Sequence, residues 1–493
     1  MRYFGVYILA GLLLLSSIPL MGQTDVVARL DLNRRDPKPD FYEYSPVDGG
    51  LVTLGPSSLA SNRFLSVTKY DKNLKKQWTK KVVEQNGRKN IDFVAVIGSN
   101  ILVFVSEFFL KEGVIKTYYY GFDLEGNEIA NEETLSVYPN QKEQKVELQY
   151  VLSPNKRQLL CYKNLKNKRD SEQILYYIFD DEGDLVQNGE MELKYPDNRF
   201  QVVSLRVSNS GNIFVLGKFF RTITVKEATD FQYVVYRYDI SQGQGREIQI
   251  ELGDRYITNL AFRLDRDENI FVAGFYSNRS TDQIAGTVLQ QIRPDGTIAL
   301  NSNEAFDEGF LRNYLSNSQI QRGRELRNFY LDSENGIILR SDGGVLLIAE
   351  KFYITYQSYR DLAGYWVDRE IYHYEDVILT SIDGNGNIEW HAIVDKAQES
   401  ESPTALSYFN AISSQGSYIF YEYKPRKRDI NIYYNTIGMT GRVSERIPLL
   451  NDYKFGDQFF PRFCEQINND EALMVYMQNR GKVLSVVKVK FAG

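Results

Sequence analysis

The sequence predicts an all-β fold, a β-propeller of four-stranded blades, and three observations carry that reading. Eight times along the 493 residues a polar turn gives way to a short apolar run, at about the spacing of one propeller blade. A second landmark, a strand-like segment ending in Asp before a Gly- or Asn-containing turn, recurs downstream of these runs. Composition agrees: Tyr equals Gly at 35 each and Phe adds 28, and aromatic side chains suit a pleated, half-buried surface.

The first 22 residues stand apart. Arg2 supplies a positive charge, residues 6–15 form an almost unbroken apolar core, and a polar Gln23-Thr24-Asp25 follows Gly22. This reads as a secretory signal peptide, too short and wrongly flanked to be a membrane span. No Cys follows the apolar core, so a lipid anchor on an N-terminal Cys is not expected. No later stretch reaches the ~20 apolar residues of a spanning helix. Loss of the leader leaves 57 basic residues against 64 acidic ones. That balance lacks the basic face a nucleic-acid partner requires.

The apolar runs come next in order. They are residues 51–54, 101–105, 159–161, 213–216, 270–273, 345–349, 418–421 and 472–476. Each follows a turn such as Asp48-Gly49-Gly50, Gly211-Asn212 or Gly343-Gly344. The Asp landmarks are Asp71, Asp123, Asp180, Asp239, Asp295 and Asp383, with Gly438-Met439-Thr440-Gly441 as a degenerate copy. Asp and Asn bond to backbone two residues on, and Gly accepts positive φ, so these positions read as hairpin turns. An opening strand (93–97, 203–207, 259–264) and a polar outer strand complete each unit of four. One such sheet cannot bury both faces, and radial stacking supplies neighbours on each side.

The ends of the chain predict closure. The last unit stops one strand short, while residues 26–32 are strand-like with no unit of their own. They are expected to complete the final blade. Eight runs then make eight blades, or seven if the first unit merges with the closing one. Residues 23–493 read as a single propeller domain.

The spacing between Asp landmarks is 52, 57, 59 and 56 residues, then 88, so one blade carries an insertion. It lies at about 304–328, where Phe310, Leu311, Tyr314 and Leu315 recur at helical spacing and predict one or two short helices. A second elaboration, residues 352–374, reads as a long aromatic-rich hairpin.

The chain offers little catalytic chemistry. His373 and His391 are the only histidines, neither near another ligand at metal-binding spacing, and both read as surface or rim residues. Cys161 and Cys464 sit in strand-like runs and read as buried free thiols, with a disulfide between them the alternative. Residues 383–387 and 265–269 resemble half of a calcium loop. Both lack Gly at the sixth position, where Ile388 and Ile270 stand, so each reads as a plain turn. A carboxylate pair of the glycosidase kind cannot be chosen from 64 acidic residues. The reading leans away from an enzyme, with no cofactor and no metal.

Binding features are stronger. Tyr353, Tyr356, Tyr359, Tyr365, Trp366, Tyr372, His373 and Tyr374 gather in one excursion. Tyr and Trp give large contact area at low entropic cost and dominate interface hot spots. Arg426, Lys427 and Arg428 form a basic loop tip suited to an anionic contact.

Residues 210–217 (SGNIFVLG) and 267–274 (DENIFVAG) resemble bacterial β-propeller repeats, a resemblance that spans nearly the whole mature chain. Residues 372–398 resemble secreted, uncharacterised proteins of Bacteroidota, and this implies no defined activity. The sequence therefore leads to an exported, non-catalytic propeller that scaffolds a protein partner at the cell envelope. Such a protein would be periplasmic or extracellular, held at the outer membrane through its partner, as an accessory of an assembly, export or uptake machine. A carbohydrate-binding or carbohydrate-cleaving propeller, with a glycan as ligand, is the alternative.

Overall fold

In a computed structural model of the chain, the described residues are 24–33, 43–47, 49–58, 61–84, 89–139, 148–165, 171–221, 231–250, 252–360, 364–426, 429–449, 458–478 and 483–491. The expected signal peptide lies outside them. The apolar runs become the second strands of eight antiparallel sheets, which we number as blades 1 to 8. Blade 1 begins with Glu43–Val47 and Gly50–Ser58, blade 4 with Phe200–Val207 and Ile213–Phe220, and blade 5 with Tyr256–Leu264 and Ile270–Ser277. Blades 6, 7 and 8 carry their second strands at Val345–Arg360, Gly416–Arg426 and Glu471–Gln478. The count is eight, not seven.

The second strands are the driest part of the molecule. Leu51, Ile101, Leu159, Ile213, Ile270, Val345, Tyr418 and Ala472 are all fully buried. Both faces of these strands pack on neighbouring sheets, which is why they read as unbroken apolar runs and not as alternating ones. Fourth strands face outward, and Ile298–Ala305 alternates between exposed and half-buried positions. First strands of consecutive blades approach one another around the axis.

The sheets themselves are not closed into one ring: among the described residues neighbouring blades share no ladder, and packing links them. Eight apolar clusters do so in order. Val52, Leu54, Val103 and Tyr120 join blades 1 and 2, and Phe420, Tyr434, Met474 and Val487 join blades 7 and 8. The remaining junction sets Leu51, Tyr70 and Leu74 of blade 1 against Leu473, Val475 and Val486 of blade 8. Blade 8 is completed by Asp25–Asn33, antiparallel to Val483–Lys490, with Leu30 opposite Val486 and Leu32 opposite Leu484. The expected closing strand is therefore present.

Each Asp landmark closes a hairpin through its own carboxylate. Asp71 accepts from the N–H of Asn73 and Lys75, Asp180 from Glu182 and Asp184, and Asp383 from Asn385 and Asn387, all between 2.8 and 3.0 Å. The turns after the third strands need positive φ at one position, which Gly126, Gly183, Gly386 and Gly441 supply.

Two short helices, Glu308–Leu311 and Asn317–Gln321, lie in the insertion between blades 5 and 6. Asp307 caps the first, and a Ser316/Gln319 capping box starts the second. Phe310 is buried at the interface of blades 5 and 6, with Leu311, Tyr314 and Leu315 packed around it. His391 departs from the surface position expected of it. It is half-buried, with its ring stacked on Phe310 at 4.3 Å and edge-on to Phe306 at 5.3 Å.

Candidate functional site

Six blades carry an intact first strand, but those of blades 6 and 8 are interrupted. In blade 6, Phe329–Leu331 and Ile337–Leu339 are separated by a turn that Asp332 closes by accepting from Glu334 and Asn335 N–H. In blade 8, Gln458–Phe459 and Glu465–Gln466 flank a 3₁₀ turn at Pro461–Phe463. A broken first strand leaves the axis incompletely filled. A cavity of about 1230 Å³ opens there, walled by blades 6, 7 and 8, with Arg263 of blade 5 and Tyr150 of blade 3 opposite.

Charged side chains from several blades converge on this cavity. At its wall, Glu350 and Lys396 form a buried ion pair at 2.5 Å. Ser407 Oγ donates to the other oxygen of Glu350 at 2.5 Å, and Lys396 Nζ also donates to Tyr374 O and Gln398 Oε1. Burial disfavours both charges, raising the pKa of Glu350 and lowering that of Lys396, while their mutual contact opposes each shift. Ser407 is held at φ +89°, a conformation that costs a non-glycine residue about 1–3 kcal/mol. Its N–H donates to Gln398 Oε1 at 2.9 Å, and Gln398 reaches on to Glu422 O in blade 7. Removing either member of the ion pair would leave an uncompensated buried charge, so this network fixes the cavity wall.

Opposite lies a second group. Arg206 of blade 4 pairs with Glu334 at 2.6 Å and donates to Ser333 O. Arg263 occupies the equivalent position on the first strand of blade 5. Burial and the neighbouring Arg206 cation push its pKa down to about 10, against the opposing pull of Glu334 and Asp332. No carboxylate of the described residues lies within ion-pair distance of Arg263. The same holds for Arg462 of blade 8, whose Nη2 donates to the Tyr374 hydroxyl at 3.1 Å. Glu465 keeps solvent contact within the cavity, yet the enclosing walls displace enough water to push its carboxyl up to about 7.

The predicted aromatic excursion is a real hairpin, and it rises from the cavity's rim. Val345–Arg360 and Trp366–Ile382 pair beyond the blade as far as Arg360 opposite Trp366. Alternation sets Phe352, Ile354 and Tyr356 on one face, with Tyr374, Tyr372 and Glu370 across from them and Trp366 opposite Arg360 farther along the same face. Tyr330, Phe352 and Tyr374 also line the cavity, with Phe352 4.7 Å from Tyr374 and 6.0 Å from Tyr330. One face of the hairpin is thus an aromatic track that begins in the cavity wall.

The hairpin is braced at its base. Glu375 accepts from Tyr353 at 2.6 Å and from Lys351 at 2.5 Å, and Tyr353 stacks on His373 at 4.6 Å. Towards the tip, Tyr356, Tyr365 and Trp366 are 69%, 72% and 66% exposed, and Tyr359 is exposed beside Arg369. Arg360 lies over the Trp366 ring at 5.1 Å.

The eight aromatic and histidine positions chosen from sequence therefore divide. Tyr356, Tyr359, Tyr365 and Trp366 form an exposed tip. Tyr353, Tyr372 and His373 are half-buried bracing residues, and Tyr374 is buried in the cavity wall. Lys427 and Arg428 lie outside the described residues, as does the side chain of Arg426. Sequence reasoning missed Arg263, Glu350, Lys396, Arg462 and Glu465. One signal was available for the first. Arg206 and Arg263 stand opposite Phe214 and Phe271, the same residue of two repeated phrases, so aligning the repeats exposes a recurrent inward arginine.

The half-calcium-loop segments behave as turns, with Asp265 and Asp383 each accepting from two N–H groups of its own loop. Cys161 is a buried free thiol and Cys464 a half-buried one at the cavity wall.

No family model matches the chain, and no curated protein matches it. Among solved structures, the polysaccharide lyase Uly1 is 9% identical with a TM-score of 0.39, over 81% of this chain and 89% of its own. The β-propeller domain of the Trilobed protease from Pyrococcus furiosus, described as having an open velcro topology, is 11% identical with a TM-score of 0.36, over 84% and 97%. An oligogalacturonate lyase in complex with manganese is 11% identical with a TM-score of 0.36, over 82% and 97%. Likeness at this level assigns no activity to this chain.

Proposed function

We propose that the protein is an exported propeller that binds a protein partner at the cell envelope through the tip of the blade 6 hairpin. The observation that carries this reading is the exposure of Tyr356, Tyr365 and Trp366 on a hairpin braced at its base. A rigid platform of large aromatics pays little ordering entropy on binding, and such residues anchor interface hot spots. Charged groups on the same strands, Asp368, Arg369 and Glu370, keep the protruding edges from pairing with other chains. Export rests on the apolar leader of residues 6–15.

The test is capture of a partner from envelope fractions by the mature chain. It is to be compared with a variant in which residues 354–372 are replaced by a short turn, and with Tyr356→Ser/Trp366→Ser. The expected result is one partner recovered by wild type and lost from both variants at unchanged thermal stability. Equal recovery by all three proteins removes the hairpin from the interface.

A second reading, a carbohydrate-binding propeller, is favoured by the axial cavity. Aromatic faces beside charged and amide groups are the ordinary furniture of a small-molecule site, and here four blades or more supply them.

A further inference from the structure

We infer that the axial cavity binds an acidic oligosaccharide, with Arg263 and Arg462 receiving its carboxylates. The inference rests on the carbohydrate reading and names the ligand's charge. Glu334 is already paired with Arg206, and Glu350 with Lys396 and Ser407. Asp332 spends one oxygen closing its own turn. That leaves the guanidinium groups of Arg263 and Arg462 without an ion-pair partner among the described residues, against the carboxyls of Glu465 and of Asp332, the latter held in place by its two backbone donors. Guanidinium binds carboxylate bidentately; Arg263 is half-buried, so its lack of an anion is costly, while Arg462 is exposed and open to a ligand.

Shape and lining point to a sugar. At about 1230 Å³ the cavity exceeds the roughly 300–1,000 Å³ of a typical small-molecule site, so it can hold several linked rings. Tyr330, Phe352 and Phe463 present ring faces, and Asn335 and Asn410 present amides able to donate to and accept from hydroxyls. The aromatic stretch of the hairpin face extends the cavity outward only from Phe352 and Tyr374 to Ile354 and Tyr372, because Glu370 and Asp368 occupy the same face beyond it, so the acidic groups of the ligand are received in the cavity itself.

The test is calorimetric titration of the mature chain with trimers of galacturonate, glucuronate and mannuronate. Maltotriose serves as the neutral counterpart and a glutamate trimer as an acidic peptide. At least one acidic sugar is expected to bind more tightly than maltotriose, with affinity falling as salt rises. Arg263→Gln and Arg462→Gln are each expected to weaken it by about tenfold or more, the loss typical of one charged hydrogen bond. Arg263→Lys and Arg462→Lys should lie between, and unchanged thermal unfolding would show that all four variants fold. Equal binding of maltotriose overturns the acidic assignment and leaves the carbohydrate reading standing. Binding of no sugar overturns both, and preference for the glutamate trimer moves the site from sugars to peptides.

Discussion

At the scale of single residues, His391 shows how far a strand position can differ from its sequence reading. Its ring lies against Phe310 and Phe306, and its Nδ1 is 3.0 Å from Thr380 Oγ1. Among the described residues its buried Nε2 has no hydrogen-bond partner, so a proton placed there would be orphaned. Burial accordingly pushes the imidazole down to about 4, with only Asp307 pulling the other way. The folded state binds fewer protons than the unfolded state between about pH 6.5 and pH 4. Stability is therefore fully present above pH 6.5 and is lost as pH falls towards 4. Discounted for residual solvent contact, the loss is about 2 kcal/mol. His391→Phe keeps the stacking and removes the titration, so its urea midpoint should fall less than wild type's between pH 7 and pH 4.5. Parallel midpoints for the two proteins would mean that His391 is charged in the fold. The signal missed here was tertiary: Phe306 and Phe310 lie some eighty residues upstream, and no local pattern ties them to position 391.

Between single residues and the ring lies the blade, and here the repeats were legible. Turn chemistry and apolar runs are local, so the hairpins and second strands follow from residues adjacent in sequence. What joins one blade to the next is less visible. Trp78 on the fourth strand of blade 1 donates Nε1–H to Leu124 O at 3.0 Å, in a turn of blade 2. Trp390 of blade 6 does the same to Met439 O at 3.0 Å, in the turn of blade 7. Each indole lies against the positive-φ glycine of that turn. A Cβ on Gly126 would meet Trp78 at 3.0 Å, and one on Gly441 would meet Trp390 at 2.7 Å. The degenerate landmark at residues 438–441, which lacks Asp, thus keeps the glycine because two constraints act on it. Gly441→Ala should cost about 1–3 kcal/mol from the φ of +78° alone, and more from the indole contact. Gly441→Ala/Trp390→Ala should recover the contact part but not the backbone part. Denaturant unfolding of the two variants separates these, and a fully stable Gly441→Ala would disprove the clasp. The cavity was illegible at this scale for a related reason. It arises from two interrupted first strands more than a hundred residues apart, and its charges come from blades 5, 6 and 8, spread over some two hundred residues, so no spacing rule collects them.

For the whole molecule the decisive contact is between its two ends. Neighbouring blades are linked by apolar packing and not by ladders, so each junction is a separate, breakable contact. The junction of blades 8 and 1 is reinforced by Asp25–Asn33, whose Ala28, Leu30 and Leu32 pack with Leu473, Val475 and Val486. Ser485 donates to Asp31 at 2.6 Å beside the same ladder. Without this strand, Val483–Lys490 becomes an exposed apolar edge, and such edges template aggregation. Three aliphatic side chains, each partly buried, are together worth about 3–6 kcal/mol. In a chain of this size that corresponds to a Tm lower by about 3–6 °C. A chain starting after residue 33 is expected to melt lower by that amount and to elute partly as aggregate in size-exclusion chromatography. A peptide spanning residues 24–33, added in trans, should restore part of the loss, because the strand contributes a ladder and an apolar face but no chain connection that folding needs. If the shortened chain melts like wild type, the eight blades hold their arrangement by packing alone and the N-terminal strand is dispensable.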